Sequence, residues 1–332
     1  MERTLIGELG NHIGKTVSVS GWVDVRRDQG KIVFFDFRDR SGFVQGVVLP
    51  GSPAIDTAKD VRVEYVVRAT GAVNKRPEKN QTDKQNGGIE LEVKELEILS
   101  NAEIPFELNT ETTIETYLDH QPYTLRSTKA REIFKTQATI IQAFRDGMRE
   151  QDFVEFQAPT LTGGDAEGGA AAFEVDYYYD QKAYLATSPQ FYKQIMVGAF
   201  ERVFTTPKVF RGEKHSTTRH LSEYSSLDFE MGFITDHTEV MRALEKTIRL
   251  IVERVGREAA LPKEIPVLKL REAQEILGAA PAPDLEPEHE RAICAWALKE
   301  KGSDFVFVTH YPVEKRPFYT YEDEADKGFT KS

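Results

Sequence analysis

Apolar and polar residues alternate through Thr16-Val17-Ser18-Val19-Ser20-Gly21-Trp22-Val23, which predicts a half-buried strand. Lys31 to Phe37 and Phe43 to Leu49 flank Arg38-Asp39-Arg40-Ser41-Gly42, a hairpin pattern with glycine where positive φ is favoured. Val61 to Val73 and Ile89 to Leu99 supply more strand sequence. The polar run Asn74 to Gly88 between them predicts a loop. Five strands without a long helix predict a small barrel over residues 1–105.

Residues 106–125 carry no sustained period and read as a hinge. Beyond it, to residue 332, the pattern changes. A helix is predicted from about Thr128, with Ile133, Phe134, Ile140, Ile141, Phe144 and Met148 as its apolar stripe. Short strands are expected at Phe153–Phe156 (stopped by Pro159), Phe173–Tyr179, Val203–Phe210 and Leu227–Phe233. A second long helix carries Val240, Met241, Leu244, Ile248, Ile251, Val252 and Val255 on one face. Residues 260–285 look loop-rich, and a last helix with Ala292, Trp296 and Leu298 stops at Gly302. Strands and helices without a βαβ rhythm predict an α+β domain on an antiparallel sheet with flanking helices. For the barrel, an OB-fold and an SH3-like barrel both fit the pattern.

Composition narrows the function classes. The 332 residues are 40% hydrophobic and 29% charged, ordinary values for a folded chain rather than a disordered one. No stretch reaches the ~20 apolar residues of a membrane span, and no signal-peptide core opens the sequence, so a cytoplasmic location is expected. Cys294 is the single cysteine, which excludes an internal disulfide framework or a multi-cysteine zinc site. The net charge is −11, but residues 1–100 hold 15 Lys+Arg against 15 Asp+Glu. A polyanion would therefore meet least repulsion on the first third.

Chemistry concentrates in Val209-Phe210-Arg211-Gly212-Glu213, a basic loop to His220, then Leu221-Ser222-Glu223-Tyr224 and Leu227-Asp228-Phe229-Glu230. Arg211 and Glu213 lie two apart on a strand and so share a face. An Arg offers a planar fork to phosphate, and a Glu accepts from an exocyclic amine. An isolated pair of this kind is also what a solvated hairpin carries.

The whole pattern, FRGE followed by RHxxEY and LDFE, resembles the second signature of class II aminoacyl-tRNA synthetases, in the aspartyl/asparaginyl branch. The resemblance implies ATP as co-substrate, with Arg211 on the α-phosphate, Glu213 reading adenine, His220 reaching the outer phosphates and Tyr224 stacking on the base. Most of the family has Phe where this chain has Tyr224. Arg211 and His220 would be the catalytic groups. Asp228 matches an acid that holds the substrate ammonium group. The helix from Thr128 and the strand ending at Pro159 resemble the first signature, which implies a homodimer interface. Gly21-Trp22-Val23, Arg26-Arg27-Asp28 and Phe34-Phe35-Asp36 to Gln45 resemble the anticodon-binding OB domain. There Arg26, Phe34 and Gln45 would contact tRNA, although Phe34 also fits a plain barrel core.

The segment Ser188-Pro189-Gln190-Phe191-Tyr192-Lys193-Gln194 bears on the amino acid. Ser188 suits an N-cap and Pro189 the first helical position. Gln190 and Lys193 then share one face, while Phe191, Ile195 and Met196 can turn to the core. A Lys in the first turn opposes the helix dipole, so a bound carboxylate would compensate it. The stretch resembles the SPQLYKQ segment of aspartyl enzymes, with Ser188, Gln190 and Lys193 at the aspartate side chain. The Gly-rich run Gly163 to Gly169 resembles the lid whose acid, here Glu167, reaches the substrate ammonium. L-Aspartate is the expected amino acid, asparagine the close alternative, and a non-catalytic tRNA- or aspartate-binding paralogue a further one. The expected tRNA is tRNA-Asp. Charging of tRNA-Asn as well would imply an amidotransferase partner.

The third signature of the class has no counterpart up to Ser332. The resemblance places it, with a second substrate-binding Arg and the Mg²⁺ carboxylates, after His310-Tyr311-Pro312 and Arg316-Pro317-Phe318-Tyr319. No metal ligand is therefore expected within these residues. The expectation is a C-terminally incomplete synthetase with little activation activity of its own.

Overall fold

A computed structural model describes every residue except 109, 165–171, 213–220 and 257. The chain divides into two compact units, residues 1–130 and 131–332.

The first unit is a closed barrel. Its strands are β1 (Thr16–Asp28), β2 (Val33–Asp39), β3 (Gly42–Val48), β4 (Val66–Lys75) and β5 (Ile89–Ser100). A short helix α1 (Ile55–Asp60) sits between β3 and β4. The order β1-β2-β3-β5-β4 closes through antiparallel pairing of β1 with β4, and β3–β5 is the parallel pair. This is the OB arrangement rather than the SH3-like one. Alternation along β2 sends Phe35 and Phe37 into the core with Val19, Val23, Leu91 and Val93. Phe34 and Asp36 consequently face outward. The segment read as a featureless hinge contains two short helices, α2 (Ile114–Asp119) and α3 (Gln121–Thr124). Thr113 caps α2 by accepting from the Thr116 amide, and Phe106, His120 and Tyr123 pack edge to face.

The second unit opens with α4 (Thr128–Arg149), whose first residues lie in the preceding unit. Then come β6 (Val154–Glu155), β7 (Leu161–Thr162), β8 (Glu174–Tyr177), β9 (Gln181–Leu185), α5 (Gln190–Phe200) and β10 (Arg202–Thr205). They are followed by β11 (Lys208–Phe210), β12 (Glu223–Ser225), β13 (Asp228–Met231), α6 (Thr238–Val255) and β14 (Val267–Lys269). Helices α7 (Leu270–Leu277) and α8 (Pro287–Lys301) precede the last strand, β15 (Phe307–Thr309).

The second unit is α+β as expected, and its mostly antiparallel pairing is joined by two parallel pairs in separate sheets. β10 pairs antiparallel with β13 but parallel with β6, and β14 runs parallel to β15. The run Val203–Phe210 is split because Thr206-Pro207 interrupts it, and proline has no N–H for the ladder. The matching break, Ser226-Leu227, separates β12 from β13, and the Ser226 amide donates to the Pro207 carbonyl at 2.9 Å. Beneath β10, Phe144 and Met148 of α4 meet Phe153, Phe204 and Ala243. Of the expected stripe on α4, Phe144 and Met148 are buried, whereas Ile133 and Phe134 are exposed. Residues 260–285 are not loop throughout. The Leu270, Ala273, Gln274, Leu277 spacing forms α7, which Gly278 ends at φ +62°.

Candidate active site and nucleic-acid face

Helix α5 buries its polar side. Gln190 and Lys193 are each 8% exposed, whereas Phe191 and Ile195 are 44% and 66% exposed. The expectation that Phe191 and Ile195 turn to the core is therefore reversed. Ser188 is not the formal N-cap, a place taken by Pro189, but its hydroxyl accepts from the Gln190 amide at 3.2 Å. This start aims Lys193 at β13. Its Nζ donates to Asp228 Oδ1 at 3.0 Å and lies 3.5 Å from Glu230 Oε2.

Period-two alternation on β13 explains the pairing. Asp228 and Glu230 face α5, while Leu227, Phe229 and Met231 pack on the core, Phe229 edge-on to Phe153 at 5.5 Å. Two carboxylates and one ammonium leave the cluster one negative charge in excess. Asp228 Oδ2 is buried and has no hydrogen-bond partner among the described residues. An ammonium carries three N–H donors, so Lys193 keeps capacity beyond its bond to Asp228. A small molecule with both an ammonium and a carboxylate complements the two. Glu230 had no role in the sequence reading, although its spacing from Asp228 was the available signal.

The phosphate-type residues are tied to this cluster through the backbone. Phe210 donates its amide to the Ala186 carbonyl at 2.9 Å, and the Ala186 amide donates to Thr160 at 2.8 Å. Arg211 thus begins one residue beyond a junction from which Ser188 is two residues away. The Arg211 amide donates to Ser222 at 3.0 Å, and its guanidinium lies 6.0 Å from the Tyr224 ring centroid. Tyr224 is opposite Val209 on the β11–β12 hairpin. Pro159 is exposed just after β6. Glu167, Glu213 and His220 lie outside the described residues. Among the described residues no group of three or more His, Cys, Asp or Glu is placed to hold a metal ion.

On the barrel, a cleft of about 990 Å³ is lined by Phe34, Asp36, Gln45, Arg27, Arg76 and Glu90, among others. The Arg27 fork grips Asp36 at 2.8 and 3.1 Å, and Gln45 donates to Glu90 at 3.2 Å. The structure does not bring Arg26 to this face. Arg26 is opposite Phe35, a core residue, and donates to Asp28 at 2.8 Å. The Gly30 amide first, then the Arg26 guanidinium, hold the Asp28 carboxyl below its ordinary range. Arg27, opposite Phe34, lines the cleft.

Comparison with known proteins covers both parts of the chain. Residues 17–99 match the OB-fold nucleic acid binding domain, and residues 113–332 match the tRNA synthetases class II (D, K and N). An aspartate–tRNA(Asp/Asn) ligase of Thermus thermophilus is 41% identical over 99% of this chain and 79% of its own length. An aspartate–tRNA(Asp) ligase of Thermoplasma acidophilum is 32% identical over 100% of this chain and 80% of its own. The asparaginyl-tRNA synthetase of Pyrococcus horikoshii, solved with asparaginyl-adenylate, superposes with a TM-score of 0.86 at 28% identity, covering 100% of this chain and 79% of that one. Among the described residues no helix is long and apolar enough to cross a membrane. With an OB barrel ahead of a synthetase fold along its full length, the chain belongs to the class II aminoacyl-tRNA synthetases.

Proposed function

We propose that the chain is an aspartate–tRNA ligase acting in the cytoplasm. In place of the low activity expected from the sequence, the proposed reaction is activation of L-aspartate with ATP to aspartyl-adenylate and passage of the aspartyl group to the 3′ end of tRNA-Asp. The names of the most similar relatives support tRNA-Asn as a second acceptor, which would call for a tRNA-dependent amidotransferase downstream. The carrying observation is the buried ammonium of Lys193 between Asp228 and Glu230. Aspartate's ammonium fits the free oxygen of Asp228, and its side-chain carboxylate takes up the remaining donors of Lys193. In this reading Ser188 and Gln190 line the side-chain end of the site, and Glu167 closes on the ammonium. Asparagine offers Lys193 no countercharge. Its selection would leave a buried cation with only internal partners.

The chemistry needs no protein nucleophile. The α-carboxylate of aspartate attacks the α-phosphorus of ATP in line, and pyrophosphate leaves. In this reading Arg211 neutralises charge on the α-phosphate, with Tyr224 as the adenine platform. Glu213 and His220 fill the adenine and outer-phosphate roles in this reading. Magnesium accompanies ATP. In this reading the protein's own share of the neutralisation comes from Arg211 and His220.

On the barrel, Phe34 stacks an anticodon base while Gln45 and Arg27 meet polar edges and phosphate. A homodimer formed along α4, where Ile133 and Phe134 stand exposed, and along the strand before Pro159 completes the proposal.

Charging of purified tRNA-Asp and tRNA-Asn with labelled aspartate by the full chain tests this function. Acid-stable attachment of aspartate to tRNA-Asp is the expected result, and labelling by asparagine instead would overturn it.

A further inference from the structure

Glu64 is 1% exposed, and its backbone is left-handed at φ +67°, a conformation unfavourable for a residue with a Cβ. Backbone bonds to β1 hold it there. The Glu64 amide donates to the Val23 carbonyl at 2.7 Å, and the Val23 amide to Tyr65 at 3.0 Å. The side chain meets two guanidinium groups. Arg38 Nη1 lies 2.7 Å from Oε1 and its Nη2 donates to Oε2 at 2.9 Å. Arg126 Nη1 donates to the same Oε2 at 3.0 Å.

Arg38 is itself 5% exposed and already has a carboxylate in Asp24, at 2.9 Å. Asp24 lines the cleft that holds Phe34 and Gln45. Alternating charges, Asp24–Arg38–Glu64–Arg126, therefore run from the cleft wall to the segment by which the chain leaves the barrel. That segment is packed rather than loose. Thr124 is 3% exposed, the Tyr123 hydroxyl donates to the Phe106 carbonyl at 2.8 Å, and burial, then the Glu64 charge, push the Tyr123 phenol up.

A second buried carboxylate on strained backbone is an expensive way to neutralise Arg38, which Asp24 already faces. What it adds is an anchor for Arg126. We infer that Glu64 and Arg126 are positioning residues that clamp the exit segment to the barrel, so that Asp24 and the wall of the cleft are held in one shape for tRNA. The clamp itself stands on the geometry alone. Its consequence for tRNA rests on the ligase function proposed above.

Arg126→Ala and Arg126→Lys separate these roles, because the Arg126 side chain is 45% exposed and the Asp24–Arg38–Glu64 part stays intact. In the full chain, R126A is expected to speed amide hydrogen exchange over residues 113–126. It should leave tRNA-independent, aspartate-dependent pyrophosphate exchange within twofold of wild type. It should lower kcat/KM for tRNA charging at least tenfold, with R126K recovering part of the loss. Unchanged hydrogen exchange would overturn the clamp. Faster hydrogen exchange with unchanged charging would overturn the positioning role. If wild type charges no tRNA with aspartate, the ligase function fails, and the hydrogen-exchange comparison still decides the clamp.

Discussion

Lys193 Nζ lies 3.0 Å from Asp228 Oδ1, on the buried side of a helix that exposes its own apolar residues. The two groups proposed to hold opposite ends of aspartate thus also hold each other. Substrate must exchange partners with them, which makes the pair a selectivity device as well as a structural one. Lys193→Met keeps most of the side-chain length and removes the charge. It is expected to lower kcat/KM for aspartate activation by about 100-fold or more, equivalent to ~2.7 kcal/mol of transition-state stabilisation. Steady-state exchange kinetics check this. A loss below threefold would remove Lys193 from the site.

Phe34 and Phe35 are chain neighbours on opposite faces of β2, so their alanine variants should fail differently. Phe35 is 0% exposed, and Phe35→Ala should cost ~3–5 kcal/mol of barrel stability. Phe34→Ala should barely move the melting curve but weaken tRNA binding by ~1–3 kcal/mol, the worth of one stacked base. Thermal melts together with filter binding distinguish them. Equal melting losses would place Phe34 in the core.

Asp39 sets an acid limit on the barrel. Burial pushes its carboxyl up, but the Ser41 hydroxyl and the amides of Ile6 and Ser41, with Arg3 nearby, outweigh that and hold it below the ordinary carboxylate value. A carboxyl lowered in the folded state stabilises above its unfolded value, about pH 4, and loses that stabilisation as pH falls through the folded one. Wild type should therefore exceed Asp39→Asn in stability at pH 7, with the gap closing below about pH 4. Urea unfolding across pH measures it, and a gap that persists at pH 2 would contradict the assignment.

Gly21 allows β1 and β2 to approach closely. A Cβ there would stand 2.1 Å from the Arg38 carbonyl oxygen, a backbone atom that cannot swing aside. Gly21→Ala should destabilise the barrel by ~1–3 kcal/mol, as overpacking does. It should also disturb Arg38 and with it the Glu64 anchor. A melting temperature equal to wild type would show that β1 shifts at no cost.

Much of the barrel was legible because β2 alternates between buried Val33, Phe35 and Phe37 and the more exposed Phe34 and Asp36. Arg26 and Arg27 fall on different faces for a specific reason. A bulge between Val23 and Val25 shifts the pairing of β1 with β2, so residues beyond it swap faces. The resemblance that names Arg26 carries no information about that extra residue. Helix α5 misled in the other direction. Apolar residues are assigned to the core by default, but a ligand site built into the interior attracts the polar face instead. Lys193 was legible through its conflict with the helix dipole, whereas Phe191 and Ile195 were not. Strands β14 and β15 went unseen because their parallel pairing joins segments far apart in sequence. Glu64 gave no signal either, since neither its burial nor its φ is written in the residues around it.

The central claim is that a buried ammonium at position 193 makes this a carboxylate-selecting synthetase site. Amino-acid-dependent ATP–pyrophosphate exchange by the full chain, with L-aspartate and L-asparagine side by side, tests it most directly. The account predicts exchange with aspartate at least about 100-fold more efficient than with asparagine, the discrimination expected when a charged partner is lost from a buried site. Equal efficiency, or a preference for asparagine, would contradict it.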